Sequence, residues 1–130
     1  HAPEYVSKVK TLSAASGGEV GDETSIAKGG FQIAALAAGG AIAAIDAVLS
    51  EKCVNAYALV RPPGHHATRD AGAGFCVFNN VVLAAEHAFR KWDDTVKRIA
   101  VVDFDAHHGN GTQEAYEKDD RVLFISVHQV

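Results

Sequence analysis

The 130-residue sequence predicts an α/β protein with three layers, α/β/α, built around a parallel sheet, and three observations carry that prediction. Short apolar runs at 55–60, 98–104 and 122–127 have the length and unbroken hydrophobicity of strands buried on both faces. Helical segments separate the later runs, and strands alternating with helices imply βαβ units with right-handed crossovers. The first two runs end in Arg61-Pro62-Pro63-Gly64-His65-His66 and in Asp103-Phe104-Asp105-Ala106-His107-His108, chemistry-bearing loops at the strand ends where open α/β sheets bind ligands.

The elements follow in order. Residues 13–30 are dense in Ser, Gly, Asp, Glu and Thr and read as a loop, long enough to be a binding rim or lid. A buried helix is expected over about 31–50, where Ala and Gly permit close approach to a sheet. Gln32, Gly39, Gly40 and Asp46 interrupt its apolar character, whereas a membrane span needs ~20 strongly apolar residues. Asn55–Val60 is the first strand, and His65–Cys76 is Gly-rich and irregular. Asn79 or Asn80 caps a helix running to about Lys91. Arg98–Phe104 is the second strand, a short helix covers about Gly111–Lys118, and Val122–Val127 is the third strand.

Composition narrows the function. A net charge of -4 with Lys52, Arg61, Arg69, Arg90, Lys91, Lys97 and Arg98 scattered along the chain argues against direct nucleic-acid binding. No membrane partner and no secretory signal are expected. With only Cys53 and Cys76, a disulfide framework is implausible, and a reducing compartment follows: the cytoplasm, or the nucleus in a eukaryotic source. The chain has no methionine and opens on His1-Ala2-Pro3-Glu4-Tyr5, which suggests a piece of something longer.

On a strand, Asp103, Asp105 and His107 share one face. The same stretch is also readable as a strand followed by a polar turn that satisfies its own backbone. A carboxylate and an imidazole at Asp105 and His107 suit zinc or another borderline divalent metal. A catalytic zinc needs about three protein ligands; Asp22, Glu23, Asp70 and Glu114 qualify by residue type, yet none sits at a strand end. His65 and His66 are expected at the same sheet edge, either as polar loop decoration or, given Gly64, Gly72 and Gly74 nearby, beside a ligand.

Three ordered motifs, Arg61–Ala67, Gly74-Phe75-Cys76-Val77-Phe78-Asn79-Asn80 and Asp103–Thr112, resemble the zinc-dependent histone deacetylase family. His1–Tyr5 is similar to that family's His-Ser-Pro-Glu-Tyr segment, and Ser126-Val127-His128 to the strand end after its zinc motif. The Arg-Pro-Pro-Gly-His-His form and Asn110 resemble class II enzymes and bacterial histone deacetylase-like amidohydrolases. The resemblance implies an arginase/deacetylase-like fold, with residues 1–130 as the central part of one catalytic domain whose N- and C-terminal portions are absent. It implies Asp105 and His107 as zinc ligands and His65 and His66 as the catalytic pair, partnered by Asp103 and Asn110 respectively. Such pairing is physically sensible: a carboxylate holds an imidazole's tautomer and favours its charged form, while a neutral amide orients without adding charge.

By the same resemblance Phe75 lines a tunnel for the acyl-lysine stem, though core packing is its alternative, and the Gly74 backbone approaches the substrate. Asp22, or Glu23, matches a rim carboxylate, with a solvated loop residue as the alternative. A monovalent-cation site, such as one for K+, maps onto Asp103, Asp105, His107, Ser126 and Val127. The implied reaction is hydrolysis of an acetylamide, on an acetylated lysine side chain or, alternatively, an acetylated polyamine. An arginase-like ureohydrolase would need an Asp where Gly109 stands. A non-catalytic metal- or partner-binding module is the reading from another class. A third zinc ligand and an oxyanion-stabilising Tyr or His are expected beyond Val130, with Tyr57 and Tyr116 in the wrong motifs to substitute. The isolated chain is accordingly expected to bind zinc weakly, to be inactive and to self-associate. His108 and His128 carry no assigned role, and His87 is expected to face solvent.

Overall fold

The computed structural model describes residues 1–130 as α1 (Pro3–Ala14), β1 (Gly17–Asp22), β2 (Thr24–Ala27), α2 (Gly30–Leu49), β3 (Gly72–Ala73), α3 (Asn80–Lys91), β4 (Ile99–Asp103), α4 (Asn110–Tyr116) and β5 (Val122–Ser126). Helix α1 starts at Pro3, whose fixed φ suits a first turn, with Glu4 at the positive end of the helix dipole. Tyr5, Val9 and Ser13, spaced four apart, turn inward.

Residues 13–30 are not a loop. They form the end of α1 and an antiparallel β1–β2 hairpin, registered Gly17 with Ala27 and Gly21 with Thr24. Val20, Thr24 and Ile26 are buried while Glu19, Ser25 and Ala27 are exposed, so an alternating strand pattern lay beneath the polar composition. The tip of the hairpin is Glu23, at φ 48°.

Helix α2 is far less buried than expected. Ala34, Ala37 and Ala38 are covered, while Ile33 and Leu36 are 59% and 76% exposed. By length and composition alone it could cross a membrane. Here its Asp46 carboxylate is fixed to α3, accepting from His87 Nε2 at 2.9 Å, Lys91 Nζ at 2.8 Å and Trp92 Nε1 at 2.8 Å. His87 is therefore a partly buried partner of Asp46 and not a solvent-facing residue.

The parallel sheet exists as β4 beside β5, registered from Ile99–Val122 to Asp103–Ser126. Ile99 and Val101 pack beneath it against the cluster of Ala85, Phe89, Tyr116 and Val122. The opposite face is uncovered: Val102, Phe104, Leu123, Ile125 and Val127 are all exposed, so only one face has its helical layer.

The run at 55–60, expected as a buried strand, forms no strand. Tyr57 and Leu59 are 87% and 83% exposed. Ala58 and Val60 face Val101 and Val102 of β4 across a cavity of about 610 Å³ that also reaches His65 and Asp105. Backbone groups cannot pair across such a gap, and without a ladder partner an apolar segment has no strand to join. A separate core of Tyr5, Val9, Val20, Ile26, Ala34, Val77 and Phe78 joins α1, the hairpin and α2 to the segment before α3.

Candidate active site

Strand β4 ends at Asp103, and the chain then turns through Asp105 and His107 to Gly109, which caps α4. The turn is built by its own acids: Asp103 Oδ1 accepts from the Asp105 N–H at 3.1 Å and Asp105 Oδ1 from the His107 N–H at 2.8 Å. The polar-turn alternative is thus part of the answer, but only Asp103 spends its second oxygen inside the protein.

That oxygen, Oδ2, accepts from His65 Nδ1 at 2.9 Å, and both side chains are largely withdrawn from water, at 16% and 13% exposure. His66 Nδ1 donates to Asn110 Oδ1 at 2.7 Å. The His65 and His66 rings lie 4.0 Å apart, and His66 is 6.0 Å from the His107 ring. With Nδ1 committed to a partner, each imidazole turns Nε2 to the remaining chemistry. The turn after β4, the start of α4 and the His65–His66 loop thus bring all six expected residues, His65, His66, Asp103, Asp105, His107 and Asn110, into one cluster, although no strand precedes the two histidines.

Close backbone approach permits this packing. A Cβ on Gly109 would lie 2.2 Å from Asp103 Oδ2, and a Cβ on Gly74 would lie 2.5 Å from His66 Cδ2. Gly74 also has φ 50°, and Phe75 follows at φ 67° with its ring 68% exposed. That exposure removes the core-packing alternative for Phe75.

Phe75 is anchored to the hairpin. Its N–H donates to Thr24 Oγ1 at 3.0 Å, Thr24 Oγ1 donates to the Asp22 carbonyl at 2.9 Å, and the Gly74 N–H donates to the same carbonyl at 3.2 Å. Asp22, exposed at the end of β1 and paired with Ala73 of β3, therefore stands beside the glycine loop.

Asp105 and His107 are accessible, at 51% and 76% exposure, and touch each other at 3.1 Å. The His107 N–H is the main influence holding the Asp105 carboxyl below its ordinary value, with the His107 ring adding to it. A carboxylate that stays ionised beside an exposed imidazole is a donor set fit for zinc. No third His, Cys, Asp or Glu joins them, and Asp22, Glu23, Asp70 and Glu114 do not complete the set. For the monovalent-cation set, β4–β5 register places Asp103 beside Ser126, while the Asp103 carbonyl accepts from the Val127 N–H at 2.8 Å and Ser126 Oγ meets His128 Nδ1 at 2.8 Å.

His1, which the sequence marks only as the first residue of the His1–Tyr5 segment, supports the segment before α3. Its Nε2 accepts from the Asn79 N–H at 2.9 Å, and its ring packs on Tyr5 and Phe78. No local pattern announces a contact across 78 positions.

The model of the histone deacetylase domain matches residues 1–130. The chain belongs to the histone deacetylase family. It is 50% identical over 129 residues to the histone deacetylase-like amidohydrolase of Pseudomonas aeruginosa, covering 99% of this chain and 33% of that protein. A probable deacetylase of Archaeoglobus fulgidus is 48% identical over 130 residues, covering all of this chain and 35% of its own length. The human polyamine deacetylase HDAC10 is 47% identical over 137 residues, covering 99% and 20%. The crystal structure of the HDA15 HD domain superposes with a TM-score of 0.91 at 38% identity, covering 98% of this chain and 35% of that one. The histone deacetylase fold is therefore the arrangement these elements adopt, and the chain spans about a third of the first two relatives.

Proposed function

We propose that the protein carrying this chain is a zinc-dependent deacetylase that hydrolyses acetylamide bonds, with acetylated lysine side chains as its substrate class. The observation that carries this reading is the pair of histidines, each tied through Nδ1 to a different partner and packed 4.0 Å apart beside Asp105 and His107. Asp105 and His107 would hold the zinc, which when bound supplies Lewis-acid polarisation of the substrate carbonyl and of a water.

The protein's own residues handle the protons. With Nδ1–H of each ring donated, Nε2 of a neutral histidine accepts the proton of the attacking water, and a histidine protonated at Nε2 gives a proton to the leaving amine as the C–N bond breaks. One proton is taken up and one given back, and exchange with water restores the starting protonation of the pair. The Asp103 carboxylate supports a positive charge on His65, while neutral Asn110 orients His66 without supplying charge, so the two rings are suited to different steps. Phe75 would flank the acyl-lysine stem and Asp22 would grip the substrate backbone. Asp103, Asp105, His107, Ser126 and Val127 would hold a K+ ion, largely through main-chain oxygens, with the Ser126 hydroxyl suited to the same role. Two unpaired cysteines fit a cytoplasmic setting.

Hydrolysis of acetylated polyamines is the second reading, favoured by the 47% identity to the polyamine deacetylase HDAC10. The test is to assay the full-length natural polypeptide with zinc on an acetyllysine peptide and an acetylated polyamine side by side, together with Asp105→Ala and His107→Ala. Faster turnover of the peptide, lost in both variants, supports the proposal; preference for the polyamine selects the second reading. Zinc that stabilises the protein without turnover selects the non-catalytic module, and equal stabilisation of wild type and variants removes the metal site. Self-association through Val102, Phe104, Leu123 and Ile125 is also proposed for the 130-residue chain, and a sedimentation coefficient independent of concentration would count against it.

A further inference from the structure

We infer that Asn79, aided by Asn80, is a positioning residue that holds the His65–His66 loop and the Asn110 helix in register. A helix cap alone does not explain Asn79. Its Oδ1 accepts from the Val82 N–H at 3.1 Å, a task that Ser, Thr or Asp performs equally well. The amide nitrogen adds what those residues cannot supply beside a capping oxygen, two N–H donors, one to the Ala67 carbonyl at 3.2 Å and one to Thr112 Oγ1 at 3.2 Å.

Those two acceptors lie on different segments. Ala67 follows His66 directly, and Thr112 stands two residues after Asn110 on α4. The Gly111 and Thr112 N–H groups close the circuit by donating to the His65 carbonyl at 2.9 and 3.1 Å. Asn80 Nδ2 holds the other end of the loop, donating to the Pro62 carbonyl at 3.0 Å.

The site is well suited to this work. Asn79, Asn80 and Thr112 are 2%, 6% and 1% exposed, so water offers no substitute partner for a lost bond. The His66–Asn110 bond of 2.7 Å spans the two segments that Asn79 ties together, and a small slip between them stretches it beyond use.

The inference rests on the deacetylase reading for its catalytic consequence. In the full-length zinc-loaded polypeptide, Asn79→Ser keeps a capping oxygen and loses the amide's two N–H donors, which a single shorter hydroxyl cannot replace together. Its kcat is expected to fall on the order of 10- to 100-fold, with KM within about threefold, as misplacing catalytic groups by ~1 Å does. Thr112→Val should lower kcat in the same way, and Thr112→Ser, which restores the hydroxyl, should return it to within about twofold of wild type. Wild-type kcat in both Asn79→Ser and Thr112→Val overturns the inference, as does a Thr112→Ser enzyme as impaired as Thr112→Val.

If the wild type has no deacetylase turnover, the functional reading fails by itself. The brace is then judged by hydrogen-exchange protection of the Gly111 and Thr112 amides. Protection reduced in Asn79→Ser and Thr112→Val but kept in Thr112→Ser supports it, and unchanged protection overturns it.

Discussion

Gly109→Ala tests whether the site is assembled by close backbone approach. Gly109 has φ -77°, which alanine adopts freely, so the substitution adds a methyl group without backbone strain. That methyl would sit 2.2 Å from Asp103 Oδ2 and 3.3 Å from His65 Nδ1. Non-bonded heavy atoms rest at about 3.5 Å, so the carboxylate must retreat on the order of 1 Å. Its hydrogen bond to His65, 2.9 Å long between side chains at 16% and 13% exposure, cannot survive that shift. A charge-assisted bond withdrawn from water is worth about 2 kcal/mol, and ~1 Å of misplacement in a catalytic group can cost roughly 100-fold in rate. We expect Gly109→Ala to lower the unfolding free energy by about that amount in a denaturant titration. It should also lower kcat of the full-length polypeptide more than tenfold, on the order expected for a displaced catalytic group. A slowly exchanging His65 Nδ1–H signal is expected in the proton NMR spectrum of the wild type and should be absent from the variant. A Gly109→Ala protein with wild-type stability, rate and imidazole signal would refute the argument.

Two predictions concern pH. Hydrogen bonds from Lys91 first, then Trp92 and His87, hold the Asp46 carboxyl well below its ordinary value. A depressed folded-state pKa stabilises the protein above the unfolded carboxylate value near 4 and is lost as pH falls below it. Asp46→Asn should therefore lower Tm at pH 7 and flatten the acid limb of the Tm profile; an unchanged acid limb would show that the α2–α3 tie contributes nothing. Burial first, and Cys76 second, push the Tyr5 phenol up to about 12, and its OH donates to the Val77 carbonyl at 2.8 Å. Here the folded value is raised, so the contribution is whole below pH ~10 and falls away towards 12, a loss of up to about 2 kcal/mol. Tyr5→Phe should be less stable at neutral pH and lack that alkaline step in urea midpoints measured from pH 9 to 11.

Within the candidate cluster the turn from Asp103 to Asn110 was legible because its geometry is local, whereas its meeting with His65 and His66 spans 38 and 44 positions and was expected only from the family resemblance. The apolar run announces β4 without help from elsewhere, but the strand stops at Asp103, and it is the polar turn after it, not strand alternation, that places Asp105 and His107. Helix α3 was equally plain, since Asn79 caps it and its apolar residues recur at helical spacing. The hairpin at 17–27 was hidden because Val20, Thr24 and Ile26 alternate among glycines and acids that suggest a loop. Helix α1 was not expected from the sequence; Pro3 at its first turn and Tyr5, Val9 and Ser13 four apart are its only local marks, and which face is buried depends on the partner surface.

By itself the sequence determined the chemistry on offer: the histidine pair, the acids of the β4 turn, their order along the chain and the α/β class. Tertiary structure decided which residues meet. It left 55–60 without a ladder, joined His87 to Asp46 across 41 positions and His1 to Asn79 across 78, and gave Asn79 two acceptors on separate segments. The physical reason is one of range. Periodicity and capping are set by neighbours within a turn or two, whereas strand pairing and the satisfaction of buried polar groups depend on what the folded chain brings alongside.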